Sequence, residues 1–297
     1  MDGYGLAKII LIGEHSVVYG HPAIAIPFYA LRSEVVLTPH NTFVFDTKYY
    51  EGPIDKAVFE LRGLVALVDE MRARYRTITP VIISIRSNLP EKSGLGSSAS
   101  VAKALIDAFN NHFSLNLSKM DYFELLKISE NIYHQKASGI DASTIVYEKP
   151  IVYQAPHISP FKPNIEGFLV AFYSNTNSAT KDAVNHVSTH PHRDIHINGL
   201  GALTANAKWA LENNNIELLA QMFNASHEHL KALGISTDNL ETLRKLIFDT
   251  GALGVKITGG GMGGCLIALY KDEQKARDAQ LSLERHPSWM VNLEKLI

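Results

Sequence analysis

SNLPEKSGLGSSASVAKALIDAFNNHF, residues 87–113, runs from a strand exit through a glycine-rich turn into a helix. The β-branched run Val81-Ile82-Ile83-Ser84-Ile85 leads into it as a strand, and Pro90 stops regular structure. Gly94 and Gly96 flank Leu95, and Ser97 and Ser98 follow. From Ala99 the residues Val101, Ala104, Leu105, Ala108 and Phe109 fall at helical steps. Ser97 or Ser98 is the expected N-cap. The N–H groups of a first helical turn lack partners, the helix dipole favours negative charge there, and glycines permit close approach. Such a junction suits a phosphate, with serine hydroxyls able to add hydrogen bonds or reach a magnesium ion. An ordinary glycine turn with a serine cap is the plain alternative. The turn is neither a G-x-x-x-x-G-K-[ST] loop nor a completed G-x-G-x-x-G fingerprint.

The 297 residues are 46% hydrophobic and 20% charged, an ordinary globular composition that suits one large domain or two medium ones. A formal net charge of -2 gives no reason to expect a nucleic acid or an anionic membrane as partner. Cys265 is the single cysteine, so no intrachain disulfide can form and a reducing compartment fits. No apolar run approaches the length of a membrane span, and the opening MDGYGLAK lacks the regions of a signal peptide. The expected location is cytoplasmic.

Residues 6–37 read as strands. Lys8 interrupts the apolar run Ala7–Ile12, and its charge must reach solvent, a carboxylate or a ligand phosphate; a strand-edge lysine in water is the plain alternative. Gly13-Glu14-His15 breaks the run. Residues 54–76 have helical period, with Val58, Leu61, Leu64, Val65, Val68 and Met71 on one face. A helix is expected over 121–135, where Glu130 and His134 share a face, as a surface pair in the plain reading. Lys136 to Thr144 then lead into an expected strand, Ile145–Tyr153. Asp141 there is either a turn former or a catalytic carboxylate at a strand mouth.

Pro156, Pro160 and Pro163 mark an expected domain boundary within 154–166, giving domains 1–158 and 159–297. Beyond it come a strand at 167–173, a polar loop from Ser174 to Thr180, mostly helix over 181–250, two strands within 253–270, a helix at 272–285 and a strand at 289–293. That order is α+β. Gly259, Gly260, Gly261, Gly263 and Gly264 crowd the turn between the paired strands, for phosphate support or for a packed connection. The histidine-rich segment 189–196 contains Pro191 and lacks helical or hairpin framing, which argues against a metal site; His227 and His229, two apart on a helix, point in different directions.

Three separated segments, in this order, resemble the motifs of the GHMP small-molecule kinases. They are Ala7 to Gly20, Pro90 to Ser100 and Lys256 to Cys265. Within that family, Gly13-Glu14-His15-Ser16-Val17-Val18-Tyr19-Gly20 followed by Pro22-Ala23-Ile24-Ala25 is most similar to the mevalonate kinases. So is Ser138-Gly139-Ile140-Asp141 after Glu130. Galactokinases follow Gly-Glu-His with Thr-Asp-Tyr, and homoserine kinases lack that run. Glu91-Lys92-Ser93 departs from the small residues usual in the second motif, and Ala142 stands where the family has Asn or Pro.

The resemblance implies an α+β, two-domain GHMP kinase fold. The N-terminal domain would be similar to the second domain of ribosomal protein S5, and the C-terminal one ferredoxin-like, with the active site in the cleft between them. It also implies roles: Asp141 as the catalytic aspartate with Lys8 beside it, and Ser98 and Glu130 as magnesium ligands. Pro90, Glu91, Lys92, Ser93, Gly94, Leu95, Gly96, Ser97, Ser98, Ala99 and Ser100 would cradle the ATP phosphates. Glu14, His15 and Thr180 would lie near the acceptor. The implied reaction moves the γ-phosphoryl of ATP, with Mg2+, to the C5 hydroxyl of (R)-mevalonate. ATP and mevalonate are the expected partners, and a homodimer is admitted. Such transfer is mostly positioning and charge stabilisation, which suits a carboxylate, a buried cation and a glycine loop. The alternatives are a kinase for homoserine, galactose or phosphomevalonate, a mevalonate diphosphate decarboxylase, and a catalytically silent metabolite sensor. Lys8, Ser98, Glu130 and Asp141 together argue against the sensor.

Overall fold

The computed structural model describes residues 3–133, 138–178 and 180–296. His134, Lys136 and Ala137, with the far end of the expected helix 121–135, lie outside the described residues. Contacts divide the chain into two compact units. The first holds the chain up to Ala7, Leu31–Leu89 and Gly96–Tyr147; the second holds Lys8–Ala30, Pro90–Leu95 and the chain from Glu148 onward. No described helix is long and apolar enough to cross a membrane.

In the first unit, the Ser33–Pro39 half of β2 (Ala23–Pro39) pairs antiparallel with β5 (Val81–Ser87). β5 also pairs parallel with β3 (Val44–Asp46), which pairs antiparallel with β4 (Glu51–Pro53). Strand alternation turns Val35 and Leu37 inward, where they pack with Phe45, Ile83 and Ile85. The start of β1 (Gly3–Ile12) lies hard against α2 (Ser97–Phe113). A Cβ at Gly5 would stand 2.0 Å from the Ser100 carbonyl oxygen, so only glycine fits there.

The apolar face expected over 54–76 does enter the core through Leu61, Leu64, Val68 and Met71. The helix itself, α1 (Arg62–Arg74), begins later than its periodicity suggested. Ile54–Lys56 and Phe59–Leu61 are 3-10 turns, and Ala57 and Val58 between them are extended. That bent path brings Ile54 and Leu61 to the core without a continuous helix. α3 (Lys119–Tyr133) adds Leu125 and Leu126 to the same core, and α4 (Ile140–Tyr147) adds Ala142. The expected strand Ile145–Tyr153 is therefore corrected. Gly139 at φ 81 starts a helix, whose hydroxyls bond back: Ser143 Oγ to the Gly139 carbonyl at 2.7 Å and Thr144 Oγ1 to that of Ile140 at 2.8 Å. Strand begins only with β6 (Ile151–Gln154), which forms a hairpin with β7 (His157–Pro160). The proline-bearing stretch is thus partly sheet, and β6 pairs on its other side with Ala23–Ala25 of β2.

The rest of the second unit is built on an antiparallel sheet of β8 (Phe168–Tyr173), β9 (Gly254–Thr258), β10 (Cys265–Tyr270) and β11 (Ser288–Asn292), in the order β11-β8-β10-β9. Four helices lie between β8 and β9: α5 (Thr180–Ser188), α6 (Arg193–Glu212), α7 (Ile216–Ala232) and α8 (Asp238–Asp249). α9 (Glu273–Ser282) joins β10 to β11. This connection and strand order are ferredoxin-like. The sequence supplies the caps: Asn215, Thr237 and Asp272 each accept a hydrogen bond from the backbone N–H three residues on.

His227 on α7 is fully buried, and its Nε2 lies 2.8 Å from the Glu241 carboxylate of α8. Burial, with Arg244 nearby, pushes the imidazole down to about 4 despite Glu241. The neutral ring donates Nε2–H. The unfolded chain binds the extra proton below about pH 6.5 and the folded chain only near 4, so stability is intact above that window and is lost as pH falls through it. The expected loss is about 3 kcal/mol between those limits. Urea titrations from pH 7 to 4 check this: His227→Gln should flatten the slope, and an unchanged slope would contradict it.

Candidate active site

In the second unit, three loops are laced together by backbone groups. Cys265 N–H donates to the Ser93 carbonyl at 3.0 Å, Gly264 N–H to that of Thr176 at 2.7 Å, and Ser178 N–H to that of Lys92 at 2.6 Å. Ser178 Oγ donates to the Gly261 carbonyl at 2.8 Å. The glycines make this possible. Gly94 and Gly259 have φ of +84° and +83°, and a Cβ on Gly259 would stand 2.8 Å from the Gly94 Cα. A Cβ on Gly260 would come within 2.9 Å of Thr180. The packed connection is therefore one use of the second glycine cluster, and its packing partner is the phosphate-loop candidate itself.

Lys8 sits on β1 with only 2% of its surface exposed. Its Nζ donates to the Gly94 carbonyl at 3.0 Å, and its backbone N–H to that of Leu95 at 3.0 Å. The strand-edge lysine in water is thus excluded: the cation is buried on the glycine turn. Within that turn, Ser93 and Leu95 are buried, Glu91 and Lys92 are exposed, and Pro90 is half-buried. Lys92 holds a left-handed φ of 50° at the tip, so Glu91-Lys92 is accommodated as a solvent-facing turn.

His15 has a left-handed φ of 60°, uncommon outside glycine. Its Nε2 lies 2.9 Å from the Gly260 carbonyl. A carbonyl only accepts, so Nε2 carries the hydrogen and Nδ1 is left as an acceptor. Burial pushes its pKa down and keeps it neutral. Glu14 beside it is wholly buried and ion-paired with Lys256 of β9. Lys256 is the site residue that sequence reasoning missed. It stands in the third motif, but its partner is 242 residues away and nothing local announces the pair. Thr180, at the start of α5, is exposed, with its Oγ1 3.4 Å from Ser178 Oγ.

In the first unit, α2 begins at Ser97 and its N-cap is Gly96, left-handed at φ 78°, with no side-chain cap bond. The serine cap expected there is corrected. Gly96 turns the chain without a Cβ penalty, which places Ser97 and Ser98 inside the first turn. Ser98 is exposed, Ser97 half-buried and Ala99 buried. Ser100 is committed elsewhere: its buried hydroxyl donates to the Gly5 carbonyl at 2.6 Å. Glu130, 9% exposed, lies in the last turns of α3, and Asp141, half-buried, in the first turn of α4. Helices α2, α3 and α4 pack on one another, so these three residues sit on one helical cluster. An open helix N-terminus with an exposed hydroxyl, and two carboxylates on the packed neighbours, can receive an anion with its counter-cation.

Comparison with known proteins follows the same lines. Residues 62–149 match the GHMP kinases N terminal domain, and residues 207–288 match GHMP kinases C terminal. A mevalonate kinase of Thermococcus sibiricus is 33% identical, over 90% of this chain and 88% of its own. One of Pyrococcus abyssi is 31% identical, over 91% and 88%. The crystal structure of mevalonate kinase from methicillin-resistant Staphylococcus aureus is 32% identical, with a TM-score of 0.79 over 99% of this chain and 98% of that one. The Methanococcus jannaschii mevalonate kinase, at 24% identity, shares the fold with a TM-score of 0.85 over 98% and 97%.

Proposed function

We propose that this chain, which belongs to the mevalonate kinase branch of the GHMP kinase family, transfers the γ-phosphoryl of ATP to the C5 hydroxyl of (R)-mevalonate. The observation that carries the proposal is the buried Lys8 cation bonded to the Gly94 carbonyl, in a glycine turn that continues directly into α2. A fixed cation beside a phosphate-type loop answers what phosphoryl transfer needs, since the protein's part is positioning and stabilising negative charge.

The remaining roles are part of the same proposal. Residues 90–100 hold the ATP phosphates, with backbone N–H groups of the first α2 turn as donors. Asp141 accepts the proton of the C5 hydroxyl, and Lys8 steadies charge on the transferred group. His15 and Thr180 contact mevalonate, the bare Nδ1 of His15 accepting from a hydroxyl, while Glu14, its side chain fully buried against Lys256, stands behind them without touching it. Ser98 and Glu130 would hold Mg2+: a hydroxyl and a carboxylate are hard oxygen donors of the kind such an ion takes. When bound, the ion neutralises charge on the ATP phosphates. The division into an ATP-binding half, 1–158, and a second half, 159–297, is supported by family matches lying on either side of it. Cytoplasmic placement fits the single buried Cys265, whose thiol burial pushes up and leaves inert.

Glu130→Gln should raise the Mg2+ concentration for half-maximal velocity by about tenfold, read from metal titrations at fixed ATP; an unchanged titration would remove Glu130 from the metal site. The function as a whole is tested by ADP release with mevalonate, homoserine, galactose and phosphomevalonate in parallel. Turnover with mevalonate is expected. Turnover only with another acceptor would keep the kinase and sink the substrate.

A further inference from the structure

The roles given so far leave Lys256 unused, although it is among the most thoroughly buried cations of the described residues. Its ammonium meets one oxygen of the Glu14 carboxylate and donates to the Ile257 carbonyl at 2.6 Å, and both side chains are 0% exposed. Lys8 belongs to the same small region. Thr258 Oγ1, two residues past Lys256, donates at 3.0 Å to the carbonyl of Ile10, two residues past Lys8. Gly94, which accepts from Lys8, abuts Gly259. Two lysines and one carboxylate are therefore buried in one small region. Glu14 Oε2 is buried too, and has no hydrogen-bond partner among the described residues.

A buried carboxylate needs a cation, because leaving it unpaired in a low dielectric is far costlier than pairing it. Neutralising Glu14 would take one lysine, and Lys8 lies in the same region. The chain supplies a second lysine instead. Burial raises the Glu14 carboxyl and lowers the Lys256 ammonium, and the charge of Lys8 is felt by both groups. If Lys256 were absent, Glu14 would draw the Lys8 ammonium away from the Gly94 carbonyl.

We propose that Lys256 is a positioning residue for phosphoryl transfer: by occupying the Glu14 carboxylate it keeps the Lys8 ammonium on the glycine turn, where the anionic groups of the reaction need it. The proposal rests on the kinase reading and on the role of Lys8 within it. Lys256 itself touches neither substrate nor reacting atoms.

The test compares Lys256→Met, Lys256→Arg and the double variant Glu14→Gln with Lys256→Met, using kcat per folded molecule, both KM values, Tm, and the Lys8 side-chain Cε resonance in carbon-13 lysine-labelled protein. Lys256→Met should lose about 100-fold in kcat and shift the Lys8 resonance. Adding Glu14→Gln should return at least roughly tenfold of kcat and move the resonance back, because no orphan carboxylate remains to capture Lys8. Lys256→Arg, which keeps the cation, should stay within about tenfold of the parent. A merely structural pair predicts otherwise: Tm falls in Lys256→Met while kcat per folded molecule and the Lys8 resonance stay put. That result overturns the proposal, as does a double variant that regains Tm without kcat. If the parent enzyme itself shows no turnover with Mg-ATP and mevalonate, the kinase reading has failed, and this proposal falls with it. Normal parent turnover with an unmoved Lys8 resonance fails this proposal alone.

Discussion

Asp141→Asn is expected to lower kcat by about 10²–10⁴-fold while leaving the fold intact. Asparagine has nearly the shape of aspartate and can still accept a hydrogen bond, so what the change removes is the charge and the ability to take a proton. The surroundings of position 141 are held by other groups. Gly139 makes the turn at φ 81°, the Ser143 and Thr144 hydroxyls bond back onto the Gly139 and Ile140 carbonyls, and Ala142 next door is packed in the core. Loss of a carboxylate from a first helical turn costs about 0.3–1 kcal/mol through the helix dipole. The KM for mevalonate and the Tm should therefore change little, and the loss should fall on kcat, measured by ADP release at saturating ATP and mevalonate. Retention of kcat within about threefold would remove Asp141 from the chemistry.

Lys8→Met is expected to cost about 10²–10³-fold in kcat, the size typical for removing one fixed donor from developing negative charge. Methionine fills nearly the same volume and is at home in a site that is 2% exposed, so packing on β1 survives. The Gly94 carbonyl loses a donor, worth about 1 kcal/mol in stability. A Tm close to the parent value with a collapsed kcat is the expected pattern, and the KM for ATP should rise less than kcat falls. A variant that loses Tm but keeps its kcat per folded molecule would make Lys8 a structural strut for the glycine turn.

Local sequence signals marked the elements well where one pattern dominates a segment. The strand before Ser87 and the helix after Gly96 could be read because β-branched residues and then three- and four-residue apolar steps leave no second choice. The order of elements after residue 167 likewise anticipates the β8 to β11 domain. The start of α1 is not legible because Ile54, Val58 and Leu61 reach the core along a bent path that imitates helical period. The expected serine cap gives way to Gly96 because a glycine in left-handed conformation can begin a helix with no side-chain bond at all. In isolation Ile145, Val146 and Tyr147 favour a strand after Asp141, whereas packing on α2 and α3 holds them helical.

The chemistry was legible in part for the same reason. Lys8 stood out as a charge inside an apolar run, but its destination, the Gly94 carbonyl 86 residues on, is a tertiary fact. Glu14 stood out in its motif, and its partner Lys256 did not, because a buried lysine in a strand reads like any other residue until the carboxylate facing it is known. Ser100 shows the converse: a serine inside the phosphate-loop motif whose hydroxyl is spent on the Gly5 carbonyl.

The measurement that bears most directly on phosphoryl transfer to mevalonate is phosphorus NMR of the products formed from Mg-ATP and (R)-mevalonate. One new phosphomonoester signal, split by the two C5 methylene protons and growing in step with ADP, with no carbon dioxide released, is the expected result. ADP accompanied only by inorganic phosphate, or by carbon dioxide, or no consumption of mevalonate at all, would contradict it.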